Sequence, residues 1–426
     1  MRLRKFFALA LVFVMCASLF VGCGGGGGTE ETGGGGAAGD ERTSIKIGIP
    51  NPTTGPLADF GEGTPWAEEL AIKPINDDGG IYIEEYDKKL PIELVFIDTE
   101  SDSTKASEVT QKLIVDEGVD LLIARHTPDT ALPVSAMGER YGVPVISTEC
   151  PIDPWKAGGP YEWAFHAFWT IDSVYELYRD SWVEAGLQGK TVGLLFPNDP
   201  DGLAWAPVFA ERLPQDGYKV SDPGRYPIGN SDWSSVINQF KQDGVEIIAG
   251  CNIPPDFANF MKQASQLGFE PIFSSQGRSI LFNASATAMG PELADGQTIE
   301  VWWSPHHPYP SSITGQTAKD ILELYTQESG RVWTATIGYK YAPVEIAIDV
   351  LKRCKNLEPE TIRDAIAETD MVTVVGPIKY NEDHLAFTPI VLGQWTLQDD
   401  GTLDVEIVNN WKNSEIPETG EIRLMK

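Results

Sequence analysis

Ser44-Ile45-Lys46-Ile47-Gly48-Ile49-Pro50-Asn51-Pro52-Thr53-Thr54-Gly55-Pro56-Leu57-Ala58-Asp59-Phe60-Gly61-Glu62-Gly63 begins as a short apolar run and turns at once into a segment dense in Pro, Gly, Thr and Asn. The run predicts a buried strand over 44–49, and the segment after it predicts a turn-rich loop over 50–63. A helix pattern over 64–76 stops before Gly79-Gly80. Two strand-like runs, 81–86 and 90–98, predict a hairpin across Asp87-Lys88-Lys89. Helix 104–116, strand 120–124, helix 130–141 and strand 144–147 continue the series. Strand alternating with helix predicts a parallel sheet covered on both faces.

After an aromatic stretch the alternation restarts. Helix 171–185, strand 191–196, helix 202–215, helix 233–243, strand 246–250, helix 255–267 and strand 271–274 follow in turn. Strand 298–302 leads into a connector rich in Pro and His, then helices between 317 and 369. The tail, 372–411, reads as strands with a turn at Asp399-Asp400-Gly401. Two βα series predict an α/β fold of two doubly wound lobes, and 426 residues are too many for one core.

The other end of the chain carries an address. Arg2, Arg4 and Lys5 precede an apolar run from Phe6 to Val21, too short for a comfortable membrane span. This predicts a signal peptide over 1–22. Leu19-Phe20-Val21-Gly22-Cys23 resembles a bacterial lipobox, although Phe20 stands where leucine is usual; the resemblance implies cleavage before Cys23 and lipidation of its thiol. Residues 23–43 are then a Gly-rich tether that buries no core. The remaining cysteines, Cys150, Cys251 and Cys354, match no zinc or redox spacing and read as free or buried thiols. A net charge of -30 argues against nucleic acid as a partner.

Three groups of residues in order carry a family resemblance. They are Ile45–Ile49 with Thr54-Gly55-Pro56-Leu57-Ala58-Asp59-Phe60-Gly61, then Gly142-Val143-Pro144-Val145-Ile146-Ser147, then Val375-Gly376-Pro377-Ile378-Lys379-Tyr380. Together they resemble the type I periplasmic binding proteins of the leucine/isoleucine/valine-binding family. The resemblance implies two lobes joined by three crossover strands, with ligand held between them and a closing hinge. The crossovers are expected near Phe168-Trp169, Trp303-Ser304 and Val374–Gly376. The first lobe is then 44–168 plus 304–374, and the second 169–303 plus 375–426.

Ligand is expected at the carboxyl ends of strands, where helix N-termini present free N–H groups. The loop Arg125-His126-Thr127-Pro128-Asp129-Thr130 suits an anion, with Thr127 or Thr130 as hydroxyl donor and Pro128 and Asp129 beside them. Helix capping is the alternative for Asp129 and Thr130. By the resemblance, Ser147, Thr148 and Glu149 form the second carboxylate clamp, Glu149 departing from the small residues usual there. Phe60 takes an aromatic shielding position, Asp201 stands where an aromatic is common, and Asn252 occupies the next loop. Gln276 replaces the acid that pairs with an amino acid's ammonium. Arg125 and Arg278 are candidates to grip a carboxylate, or members of structural ion pairs. His166, Trp303 and Tyr309 are expected as aromatic wall. Asp199-Pro200-Asp201-Gly202 superficially resembles a calcium loop, but Pro197 and Val208 occupy ligand positions, and adjacent His306-His307 diverge; no metal and no cofactor is expected.

The expected function is capture of a small organic solute (an amino acid, or an aromatic or carboxylated compound) by a lipid-anchored extracytoplasmic protein. It would deliver that solute to the permease subunits of an ABC importer. A ligand-sensing module for a signalling receptor is the alternative. There is no Gly-x-Ser-x-Gly, His-Glu-x-x-His or P-loop pattern and no Gly-x-Gly-x-x-Gly after a strand, so no motif supports an enzyme.

Overall fold

The computed structural model describes residues 42–425, so the signal peptide, Cys23 and most of the tether lie outside the described residues. The run that opens the fold forms strand Ile45–Asn51, and all but one of its residues are buried. It sits inside a six-stranded sheet ordered Leu385–Phe387, Ala164–Phe168, Val145–Thr148, Leu121–Ala124, Ile45–Asn51, Ile92–Asp98. Every pairing in it is parallel. Helices on both faces account for the fully buried apolar runs Leu121–Ala124 and Val145–Thr148.

The second sheet runs Arg225–Tyr226, Thr191–Pro197, Ile247–Gly250, Phe273–Gln276, Thr298–Val301, Val391–Leu397, Leu403–Asn409, with Lys219–Ser221 beside Thr191–Pro197. It is parallel as far as Thr298–Val301 and antiparallel through the last two strands. The α/β fold of two doubly wound units is therefore as the alternating pattern predicts.

Two details differ from expectation. The hairpin is short: Ile81–Ile83 pairs with Lys88–Leu90, and Ile92–Asp98 instead joins the first sheet beside Ile45–Asn51. Pro91, which has no N–H to give a ladder, separates the two roles. The third crossover is also displaced. Leu385–Phe387 pairs with Ala164–Phe168 in the first sheet, so the chain passes over between Phe387 and Val391, not near Val374–Gly376. The segment 375–387 accordingly belongs with the first sheet; Val374–Gly376 is the turn of a small hairpin, Asp370–Thr373 with Gly376–Lys379.

The first crossover is fixed by a capping box. Thr170 Oγ1 accepts from the Ser173 backbone N–H, and Ser173 Oγ takes the Thr170 N–H, which starts helix Ile171–Glu184. The second follows Trp302-Trp303 and returns to helix Thr336–Arg353, which is buried on nearly every side. The two halves touch across the mouth. The Phe60 ring meets Phe282 edge-on at 4.9 Å, and Ser285 Oγ donates to Asp59 Oδ2 at 2.7 Å.

Candidate ligand-binding cleft

A small cavity lies between the carboxyl ends of the two sheets. Phe60, His126, Thr127, Glu149 and Pro151 line it from the first sheet's side, and Phe168 and Trp169 from the first crossover. Asp201, Trp205, Cys251, Arg278, Glu300 and Trp302 line it from the second.

The first side rests on the strand-to-helix loop after Leu121–Ala124. Thr127 is the N-cap of helix Pro128–Tyr141. Arg125, fully buried, turns back and pairs through Nη1 with Glu68 Oε1 at 2.5 Å. His126 faces the cavity, its Nδ1 3.1 Å from Glu149 Oε2. Burial pushes the His126 imidazole down to about 4, so it is neutral near pH 7. Burial opposes the Glu149 carboxylate, but Lys340, His126 and Arg125 hold it below its ordinary value. Lys340 itself, pushed down to about 8 by burial, donates to Thr336 Oγ1 at 2.5 Å.

On the second side Arg278 organises the charges. Its Nη1 reaches Asp201 Oδ2 at 2.7 Å, its Nη2 reaches Asp199, and its Nε donates to the Cys251 carbonyl at 2.9 Å. Asp199 also caps helix Pro200–Gln215, accepting from the Gly202 N–H at 2.8 Å. The would-be calcium loop is thus committed to a guanidinium. Glu300 accepts from the Arg278 backbone N–H at 3.0 Å and from Tyr178 Oη at 2.8 Å. Burial lifts both Asp201 and Glu300 to about 7. His126, Glu149 and Arg278 all have positive φ, 93°, 57° and 39°. Non-glycine residues in this region carry strain, and strain of this kind gathers at binding sites.

Of the residues expected at the site, Phe60, Thr127, Glu149, Asp201 and Arg278 line the cavity. The others do not. Pro128 and Thr130 are buried in the first turn of their helix, and Asp129 accepts from Ser103 Oγ at 3.4 Å. Ser147 is spent on His166 Nδ1 at 2.9 Å, while His166 Nε2 meets the Cys150 carbonyl at 2.7 Å. His166 lies two residues before Phe168 in its strand and does not line the cavity. Thr148 is buried without lining the cavity. Asn252 Nδ2 donates to Gln276 Oε1 at 2.7 Å, so these two satisfy each other beneath the floor. Trp303 donates to the Val374 carbonyl at 2.8 Å and packs on Gly338; Tyr309 Oη donates to Glu415. The indole facing the cavity is Trp302, because side chains alternate at the end of a strand.

Sequence reasoning missed Trp169, Trp205, Trp302 and Glu300. Glu300 had a signal: an acid inside the apolar run Thr298-Ile299-Glu300-Val301-Trp302 is costly to bury unless it has work there. Trp205 stands one helical turn after Asp201, on the same face.

Two α/β halves with a cavity lined from both sheets are the architecture of a two-lobed binding protein. The chain belongs to the periplasmic binding protein family, whose model matches residues 44–402. The leucine-, isoleucine-, valine-, threonine- and alanine-binding protein of Pseudomonas aeruginosa is 20% identical over 80% of this chain and 86% of its own. A branched-chain amino acid transporter substrate-binding protein from Streptococcus pneumoniae, solved with isoleucine, superposes with a TM-score of 0.73 at 21% identity, covering 86% of this chain and all of that one (100%). A solute-binding protein of Rhodopseudomonas palustris, solved with 4-hydroxybenzoate, gives 0.71 at 17% identity over 88% and 99% of the two chains. These relatives are binding proteins of transporters, not enzymes.

Proposed function

We propose that the chain is the extracytoplasmic, lipid-anchored receptor of an ABC importer, closing its two lobes on one small organic solute. The observation that carries this reading is the cavity lined from both sheets, under a mouth bridged by Phe60–Phe282 and Asp59–Ser285. A site shared between lobes couples binding to closure, because full contact with the solute requires both walls. Relatives solved with isoleucine and with 4-hydroxybenzoate put amino acids and aromatic acids first among the compounds to try. Phe60, Thr127, Glu149 and Asp201 are the contacts we assign from the original expectation, joined by Trp169, Trp205, Trp302 and Glu300.

Native mass spectrometry of protein purified without unfolding is expected to show a co-purified small molecule. Small-angle scattering should show compaction when that molecule is returned to stripped protein. A ligand recovered chemically changed would sink the transport reading. Attachment is tested separately: Cys23→Ser should release the protein from membranes.

A further inference from the structure

We infer that the solute is a small organic cation, an alkylated ammonium, held between the indoles of Trp169, Trp205 and Trp302 and the carboxylates of Glu149, Asp201 and Glu300. This inference rests on the capture reading and narrows it.

The charges come first. A carboxylate ligand would need a cation to meet it, and the cleft's guanidiniums are already engaged. Arg125 is paired with Glu68 away from the cavity. Arg278 is shared between Asp199 and Asp201 and donates its Nε to Cys251. Lys340 is set against Glu149 and Glu68, and His126 is neutral. Asp201 and Glu300 are left without a full compensating charge, inside a cavity walled by buried rings. Glu149 Oε1 has no hydrogen-bond partner. An anion placed here would face uncompensated acids at low dielectric, whereas a cation supplies the missing charge.

The walls point the same way. Trp169 and Trp205 stand at 87° with centroids 5.7 Å apart, and Trp302 closes a third side, 6.2 Å from Trp169 and tilted by 53°. The indoles pack edge-to-face on one another, and the indole surface they leave to the cavity they line is the kind that attracts alkylated ammonium groups. A purely apolar ligand would gain from the rings but would leave the acids uncompensated. The buried Trp169 and Trp302 Nε1–H groups have no acceptor, so the ligand should carry one hydrogen-bond acceptor beside its cationic head.

The test is calorimetry on the stripped protein with choline, acetylcholine and tetramethylammonium. The controls are 3,3-dimethylbutan-1-ol (the uncharged isostere of choline), leucine and 4-hydroxybenzoate. At least one of the three cations should bind. If choline does, it should bind at least roughly tenfold tighter than its isostere, since a desolvated cation over indoles is read by its charge. Asp201→Asn and Trp302→Ala should each weaken binding of that cation. If none of the three cations binds, or the isostere matches choline, the inference is overturned. Binding of leucine or 4-hydroxybenzoate in their place would also overturn it, yet would leave capture standing. Capture itself falls only with the mass-spectrometric and scattering results. The isostere comparison uses unaltered protein, so it decides even if a variant fails to fold.

Discussion

Single residues in this cleft do two jobs that are easily confused. Arg125 and Arg278 both sit at loop positions suited to gripping an anion, yet each is held by the protein's own acids. Removing Arg125 should therefore act on stability. Arg125→Met leaves Glu68 buried without its guanidinium partner, and unfolding in denaturant should show a loss of ~3–5 kcal/mol, much of it recovered when Glu68→Met is added. The two tryptophans after strand Thr298–Val301 divide the same way. Trp303→Phe removes the bond to the Val374 carbonyl and should lower the melting temperature with little change in solute affinity. Trp302→Phe should do the reverse. The sequence could not separate these neighbours, because which of two adjacent side chains faces the cleft depends on where the strand ends. Nor could it foresee that Asn252 and Gln276 would pair with each other, since they are 24 residues apart in the chain.

At the level of elements, helix starts set the cleft. Gly202 lies one residue beyond Asp201, and a Cβ there would stand 2.0 Å from the Pro197 carbonyl oxygen. Gly202→Ala should shift the first turn of helix Pro200–Gln215 and the Asp199–Asp201–Arg278 cluster with it. The expected outcome in a titration is a larger loss of solute affinity than of melting temperature. Thr170→Ala should remove the cap that begins the second lobe and cost ~1 kcal/mol in unfolding experiments. Most elements were legible in the sequence, because buried parallel strands and amphipathic helices leave periodic apolar patterns. The edge of the first sheet was not. Leu385–Phe387 is three residues long, and nothing local says which sheet will take it.

For the molecule as a whole, buried ionisable groups set the response to pH. Glu345 accepts from the Val374 N–H, and burial lifts it from 4.5 to about 7; Glu300 behaves alike. Each binds its proton more tightly folded than unfolded, so its contribution is full below about pH 4.5 and is lost as pH rises through 7. His166 and His307 are opposite, pushed by burial from 6.5 to about 3, and their contribution is lost as pH falls below 6.5. Between about pH 4.5 and 7 the two sets oppose each other, so the readout is the difference between variant and parent. Glu345→Gln removes one carboxyl that loses stability across that window, so the melting temperature of the ligand-free variant should gain on the parent's as pH rises from about 4.5 to 7. Ser285→Ala removes the bridge to Asp59, and a larger radius in scattering with the fold intact is the expected outcome.

The late strand Leu385–Phe387 also bears on how the chain comes into being. It completes the first sheet by pairing with His166–Phe168, and beside it the His384 ring meets the carbonyl of Ala164, 220 positions earlier. A growing polypeptide has synthesised nearly all of the second lobe before the first can be finished. Closing so distant a contact is slow, so the newborn chain should spend a long interval unfinished. A protein that must be threaded across a membrane before it folds is served by that delay.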